Sequence, residues 1–124
     1  FMANDLPRAG RFLDAHPRVC FDLTPHSGMY YEFSRAPGQA RAFLTHYADR
    51  IIFGTDTDTR VLVRGESGMR FMLNQIYMIR ACLEREGEFT APGFGRLSGL
   101  GLDRDTLEKI YYSNFTRIYG SSAI

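Results

Sequence analysis

The sequence contains one stretch, Asp49–Asp56, whose residue types and spacing could support hydrolytic chemistry. It reads DRIIFGTD, a short apolar run followed by Gly-Thr-Asp. The apolar run predicts a short, buried parallel strand, and Asp56 then follows its carboxyl end. In α/β barrels the carboxyl ends of the strands form the catalytic face. A carboxylate placed there can ligate a divalent metal or accept a proton from metal-bound water as a general base.

Two other side chains are candidates for the same site. Asp58 could supply a second carboxylate, and its alternative is a turn residue in a loop. His26 follows the first predicted strand on the same face as Asp56, and its alternative is a solvent-facing loop histidine. For Asp56 the alternative is a carboxylate that caps its loop through the Thr55 and Thr57 amides.

Three further polar residues are interpreted as structural. His16 precedes a proline at a predicted helix end, and His46 lies beside the apolar stripe of its helix. Asp22 falls within a predicted strand, where an unpaired buried carboxylate would be costly, so a hydrogen-bonded structural role is expected.

The elements that position these residues form a βαβ pattern in the first half of the chain. Asn4 or Asp5 is predicted to cap a first helix, which ends before Pro17. The following segments are predicted as a strand, a loop, a helix and a strand: Val19–Leu23, Thr24–Ser34, Pro37–Ala48 and Ile51–Phe53. Such a unit implies parallel pairing of the two strands with a right-handed crossover.

The second half of the chain is predicted to be mostly helical. Ser67–Glu86 carries apolar residues at helical spacing, and Asp103 caps a final helix that ends at Gly120. Between these helices, Gly87–Gly101 is predicted to be a glycine-rich connection.

Composition and charge limit the functions that the chain can have. The 124 residues are 44% hydrophobic and 23% charged, which predicts a single domain over residues 1–124 with its own core. Fifteen basic and fourteen acidic residues give a net charge of +1, so we expect no nucleic-acid or membrane partner. Cys20 and Cys82 lie far apart in apolar runs and are predicted to be free thiols in a reducing, cytoplasmic setting.

Three segments together resemble a known family. Tyr47–Asp56 reads YADRIIFGTD, Arg11–Leu23 reads RFLDAHPRVCFDL and Leu107–Ile118 reads LEKIYYSNFTRI. In order and spacing they resemble strand eight, the helix leading into strand seven, and the closing helix of the amidohydrolase-related (amidohydrolase family 2) metal-dependent hydrolases. Asp56 matches the family's strand-eight aspartate, and Asn114 matches the typical asparagine of the closing helix.

The resemblance implies both a fold and a function. The implied fold is α/β, a partial (β/α)₈ TIM barrel made of the last two βα units and the C-terminal helices. The implied activity is a metal-dependent hydrolase, or decarboxylase, acting on small organic substrates. A divalent metal, often zinc, would polarise the substrate while Asp56 shuttles the proton. The metal ligand that the resemblance implies is Asp56 alone. His26 is a weaker candidate that rests only on its predicted place on the same face, at a position that the family does not generally use as a ligand.

The chain departs from the family's pattern in its histidines. The family's metal centre uses a His-x-His pair and further histidines on earlier strands, whereas this chain has only His16, His26 and His46. Three protein ligands are the usual minimum for a catalytic metal, so this chain by itself is expected to be inactive and to hold no metal. Phe1 precedes Met2, so either Met2 is the native start or further residues precede it.

The alternative function is that of a truncated, non-catalytic half-barrel. Two parallel strands cannot cover their own edges, and exposed edges promote association. This alternative predicts a homo-oligomer that serves as a structural or interaction module.

Overall fold

The computed structural model describes residues 3–24 and 27–120. The first half of the chain forms three helices and two short strands: α1 (Leu6–Ala15), β1 (Phe21–Asp22), α2 (Gly28–Arg35), α3 (Pro37–His46) and β2 (Ile51–Ile52), with a 3₁₀ turn at Ala48–Arg50. The second half forms α4 (Arg60–Val63), α5 (Gly65–Glu84), β3 (Glu86–Ala91), β4 (Gly95–Leu100), α6 (Arg104–Glu108), a π-helical turn (Lys109–Ser113) and α7 (Asn114–Tyr119).

The first helix and the two strands that follow it agree with the sequence pattern. The Asp5 side chain accepts a hydrogen bond from the Arg8 amide at 3.0 Å and so caps α1. Strands β1 and β2 pair in parallel, with Phe21 opposite Ile51 and Asp22 opposite Ile52. The predicted parallel pairing is therefore confirmed, although each strand is only two residues long.

The prediction of a partial TIM barrel is wrong. The described residues form two separate two-stranded sheets, the parallel pair β1–β2 and the antiparallel pair β3–β4. Strand β4 contacts α2, α3 and α5, so the hairpin supplies part of the core. A barrel would instead continue the parallel sheet outward from β1 and β2. The molecule is thus a small α/β protein with two sheets of opposite type.

The hairpin corrects the prediction of a glycine-rich connection over Gly87–Gly101. Pro92 and Gly93 occupy the centre of its turn, where Gly93 has φ of 80° and the Phe94 amide bonds to the Ala91 carbonyl at 3.0 Å. This is the proline–glycine pattern of a type II turn. Since the turn lies between two runs that each bury apolar side chains, the glycines serve a hairpin rather than an irregular loop.

Helix α2 corrects the prediction of a loop over Thr24–Ser34. Met29, Tyr30 and Phe33 fall on one face at helical spacing, and all three are buried. The Tyr30 hydroxyl also donates to the Leu23 carbonyl at 2.9 Å, which ties the helix to the end of β1. Tyr30 and Phe33 therefore pack in the core from a helix, because burial of that face outweighs the weak helix propensity of aromatic residues.

The C-terminal helical region follows the predicted position. The Asp103 carboxylate accepts hydrogen bonds from the Thr106 amide at 2.9 Å and from its hydroxyl at 2.8 Å. Gly120 ends α7 with φ of 80°. No helix in the described part of the chain combines the length and apolar character needed to cross a membrane.

The two cysteines are unpaired, as the sequence predicts. Cys20 is half-buried and Cys82 is fully buried. Burial raises the pKa of the Cys82 thiol to about 12, so this thiol stays protonated and unreactive at neutral pH.

Candidate functional site

The parallel pairing brings the segments that follow β1 and β2 into close contact. A Cβ atom at Gly54 would lie 2.6 Å from Asp22 Oδ1 and closer still to the Thr24 hydroxyl oxygen. The Thr24 hydroxyl donates a hydrogen bond to that same carboxylate. Gly54 is therefore needed for the close approach of the segments that follow β1 and β2. Asp22 is exposed, and it has the hydrogen-bonded role that the sequence predicts.

Asp56 lies four residues beyond β2 in an unusual backbone conformation. It is exposed, and among the described residues it is the one non-glycine residue with positive φ, at 54°. Left-handed backbone costs a residue with a Cβ atom roughly 1–2 kcal/mol, although aspartate tolerates it better than most. Residues held in such conformations concentrate at functional sites.

The Asp56 carboxylate accepts no hydrogen bond from the described part of the chain. The loop-capping alternative predicted bonds from the Thr55 and Thr57 amides, and instead the two threonine hydroxyls bond to each other at 3.0 Å. The loop is held by Gln75 of α5, whose side-chain amide donates to the Thr55 carbonyl at 2.9 Å. The backbone next to Asp56 is thus fixed while its carboxylate stays available.

A cavity of about 250 Å³ lies between this loop and the first turns of α5. Its lining combines charged side chains from the loop with apolar and amide side chains from the helix: Asp56, Thr57, Asp58, Arg60, Arg64, Gly68, Phe71, Met72 and Gln75. The predicted carboxylates Asp56 and Asp58 therefore do border one space.

Asp58 is committed to a local ion pair with Arg60. Its Oδ1 accepts from the Arg60 amide at 2.7 Å, and its Oδ2 accepts from Arg60 Nε at 2.7 Å. The side-chain and backbone hydrogen bonds from Arg60 hold the pKa of the Asp58 carboxyl below its usual value. Because both oxygens are occupied, Asp58 fits the turn alternative better than the role of a second ligand.

Neither His16 nor His46 lines this cavity. His26 lies outside the described residues. His16 contacts the ring of Phe12, with 4.5 Å between centroids, and His46 contacts Tyr47 with a separation of 4.6 Å. His16 and His46 thus have the structural surroundings expected of them.

The described residues do not fit a complete metal centre. They contain no group of three or more histidine, cysteine, aspartate or glutamate side chains placed to hold one ion. Asp56 offers a single carboxylate, and Asp58 is paired with Arg60. What this part of the chain supplies is one free carboxylate beside a cavity.

Sequence reasoning missed the side chains that line the cavity at and after the start of α5: Arg64 at the N-cap, and Phe71, Met72 and Gln75 within the helix. They lie 8 to 19 positions after Asp56, on a helix whose packing direction no local pattern reveals. The one available signal was the sequence of charges Asp56, Asp58, Arg60 and Arg64 leading into that helix.

Comparison with known proteins adds no relative. No family model, no curated protein and no solved structure matches the chain.

Proposed function

We propose that this chain supplies Asp56 to the active site of a hydrolase of the metal-dependent kind, acting on small organic substrates. The observation that carries the proposal is the unpaired Asp56 carboxylate, which follows a parallel strand and borders a cavity. The motif Asp49–Asp56, which resembles strand eight of the amidohydrolase-related family, gives the same residue the same role.

In this proposal Asp56 accepts a proton from a water molecule in the cavity. The Gln75–Thr55 bond holds the loop, which keeps the carboxylate in place without occupying its oxygens. A positioned general base of this kind contributes a factor of about 10²–10⁴ in rate. A divalent metal, if held there by further ligands, would lower the pKa of that water.

The proposal requires metal ligands beyond the described residues. His26 is one candidate, and the others would come from residues of the natural polypeptide that are not among these 124. The first test is therefore the intact mass and metal content of the polypeptide purified from its natural source. We expect a mass above 14.1 kDa, additional residues that include a His-x-His pair, and stoichiometric divalent metal. A metal-free species of 14.1 kDa would contradict the proposal.

The second test replaces Asp56 by Asn in that natural polypeptide and measures hydrolysis of p-nitrophenyl acetate. We expect turnover to fall by about 10²–10⁴-fold, because the amide cannot accept the proton. Asp58→Asn is the matched control, since Asp58 borders the same cavity but is paired with Arg60. It should keep turnover within a few-fold of wild type. Wild-type turnover in Asp56→Asn would refute the role of Asp56.

A second candidate function is a self-associating module, favoured by an exposed apolar stripe on α5. Met69, Leu73 and Tyr77 repeat every four residues and are 39%, 57% and 39% exposed. Apolar residues at this spacing form a face that a second helix can cover. The occupant would be a second copy of the chain.

Sedimentation velocity of the 124-residue chain tests this candidate. We expect a dimer or larger species that Leu73→Glu shifts to monomer, while Arg70→Gln, a change to a polar residue on the same helix, leaves it unchanged. A monomer at all concentrations up to the millimolar range would exclude self-association through this stripe.

A further inference from the structure

We propose that the cavity beside Asp56 binds a small organic carboxylate, with the Arg64 guanidinium pairing with the ligand's carboxylate and the apolar body lying against Phe71 and Met72. The inference deepens the proposed function, on which it rests, by naming the class of substrate. It is argued from the charges, the apolar surface and the size of the cavity.

Among the described residues, one cation that lines the cavity has no hydrogen-bonded or ion-paired partner. Of the four charged side chains there, Asp58 and Arg60 neutralise each other. The Arg64 guanidinium makes no hydrogen bond or ion pair within residues 3–24 and 27–120, and its charge lowers the pKa of the Asp58 carboxyl less than the hydrogen bonds from Arg60 do. Its planar fork of N–H donors is suited to bidentate pairing with a carboxylate.

The α5 side of the cavity also carries apolar side chains. Phe71 is 53% exposed, and Met72 beside it is half-buried. The Phe71 ring also contacts Phe94 at the hairpin turn, with 5.8 Å between ring centroids, which limits the positions it can adopt. Gly68 lines the cavity without a side chain.

The volume restricts the ligand to a small molecule. About 250 Å³ is just below the range of roughly 300–1,000 Å³ that is typical of small-molecule sites. A molecule with a single ring or a short branched chain and one carboxylate fits this volume. Its carboxylate can pair with the Arg64 guanidinium while its apolar part contacts Phe71 and Met72. Its carboxylate at Arg64 leaves the remainder of the molecule to reach toward Asp56.

Benzoate is a suitable probe, and benzamide is its neutral counterpart of similar shape. We expect benzoate to perturb the amide resonances of the loop from Asp56 to Arg64 and of the first turns of α5, with millimolar affinity. Benzamide should bind at least tenfold more weakly, because it cannot form the charged pair. Equal affinities for benzoate and benzamide, or perturbations elsewhere on the molecule, would overturn the inference.

Variants at Arg64 distinguish the effect of the guanidinium geometry on benzoate binding from the effect of its positive charge alone. Arg64→Gln should weaken benzoate binding at least tenfold, and Arg64→Lys should restore only part of it, because the ammonium lacks the fork. Arg70→Gln removes a neighbouring arginine that does not line this cavity, and it should bind benzoate as wild type does. Amide spectra of each free variant confirm that it is folded. A folded Arg64→Gln that binds benzoate normally would also overturn the inference.

The two proposals can fail separately. Asp56→Asn should lose turnover and keep benzoate binding, since the proposed ion pair joins the ligand's carboxylate to Arg64 and does not include Asp56. If benzoate binding is absent while Asp56 proves essential for turnover, the substrate class is wrong and the hydrolytic role stands. If benzoate binds at Arg64 while Asp56→Asn keeps full turnover, the carboxylate site stands and the catalytic role fails.

Discussion

The two ends of strand β2 differ in how their polar groups are satisfied. At the amino end, side chains from distant parts of the sequence hydrogen-bond to the backbone around the strand. At the carboxyl end, the side chains of Asp56 and Arg64 make no hydrogen bond or ion pair within the part of the chain that the structure describes. The comparison indicates which end stabilises the fold and which end is available for a ligand.

Arg50 organises the amino end. Its guanidinium donates to the carbonyls of Leu13 at 3.0 Å, His16 at 2.6 Å and Val19 at 2.8 Å. One side chain therefore satisfies three backbone acceptors where α1 ends and the chain turns toward β1. The bonds join two segments more than 30 residues apart in sequence, which fixes the start of both strands.

Asn114 completes the amino end from the C-terminal helices. It is buried, and its Nδ2 donates to the carbonyls of Ala48 at 2.7 Å and Ile51 at 2.8 Å. Arg117 donates to the Asp49 carbonyl at 2.6 Å. The buried Asn114 side chain and Arg117 thus hold the strand in place from the C-terminal helices.

The carboxyl end contains far fewer such bonds. The Phe53 amide bonds to the Ile110 carbonyl at 2.9 Å, and Gln75 holds Thr55, but the following residues are exposed. Functional residues are often found on loops that a rigid scaffold positions. Four predictions test this contrast, in order of expected effect.

The largest effect is expected at Asn114. Asn114→Ala removes both hydrogen bonds, so the Ile51 carbonyl loses its side-chain donor and the Ala48 carbonyl keeps only its bond from the Ile51 amide. The change should lower the free energy of unfolding by about 2–4 kcal/mol. Urea denaturation measures the loss. Ser113→Ala, at the adjacent position, should change stability by less than about 0.5 kcal/mol. A loss at Asn114 as small as that control would show that the amino end does not depend on this side chain.

Arg50→Gln should follow, with a loss of about 1–3 kcal/mol, because three carbonyls lose a charged donor. Arg50→Lys should recover little of it, since an ammonium cannot reach three acceptors in the same geometry. Arg41→Gln on the exposed side of α3 provides the control and should be nearly neutral. Chemical denaturation of the three variants decides whether geometry or charge matters at this end.

Gly54 and Gly38 should respond to alanine in opposite directions. Gly54→Ala places a methyl group against Asp22 and Thr24, and the required shift should cost about 1–2 kcal/mol. Gly38 lies in α3 with open space around it, so alanine there should stabilise by about 0.5–1 kcal/mol. Thermal unfolding measures both changes. A stabilising Gly54→Ala would mean that the two strand ends are farther apart than described.

The smallest effect is expected at Asp56. With φ of 54°, Asp56→Gly should be more stable than Asp56→Ala by about 1 kcal/mol, because glycine adopts this conformation freely. At Gln39 within α3 the same pair should show the reverse order, with alanine more stable by about 1 kcal/mol. Equal or reversed stabilities at Asp56 would show that its backbone is not held in the left-handed region.

The local sequence determined the elements whose signals lie within a few residues. Asp5 and Asp103 each mark the start of a helix, because their side chains cap amides only three residues away. The apolar run Ile51–Phe53 marks a strand. The parallel pairing of β1 with β2 also followed from the βαβ pattern, and with it the position of Asp56 beyond a strand end.

Only the tertiary structure decided what surrounds that carboxylate. Helix α2 is stabilised because Tyr30 and Phe33 are buried in the core. The Glu86–Leu100 hairpin is stabilised because it packs against helices distant in sequence. Arg64 and Phe71 share a cavity with Asp56 because α5 lies beside the loop, where the Gln75 side chain donates to the Thr55 carbonyl. Such contacts join residues far apart in sequence, so their energies depend on the whole fold and leave no short pattern to recognise.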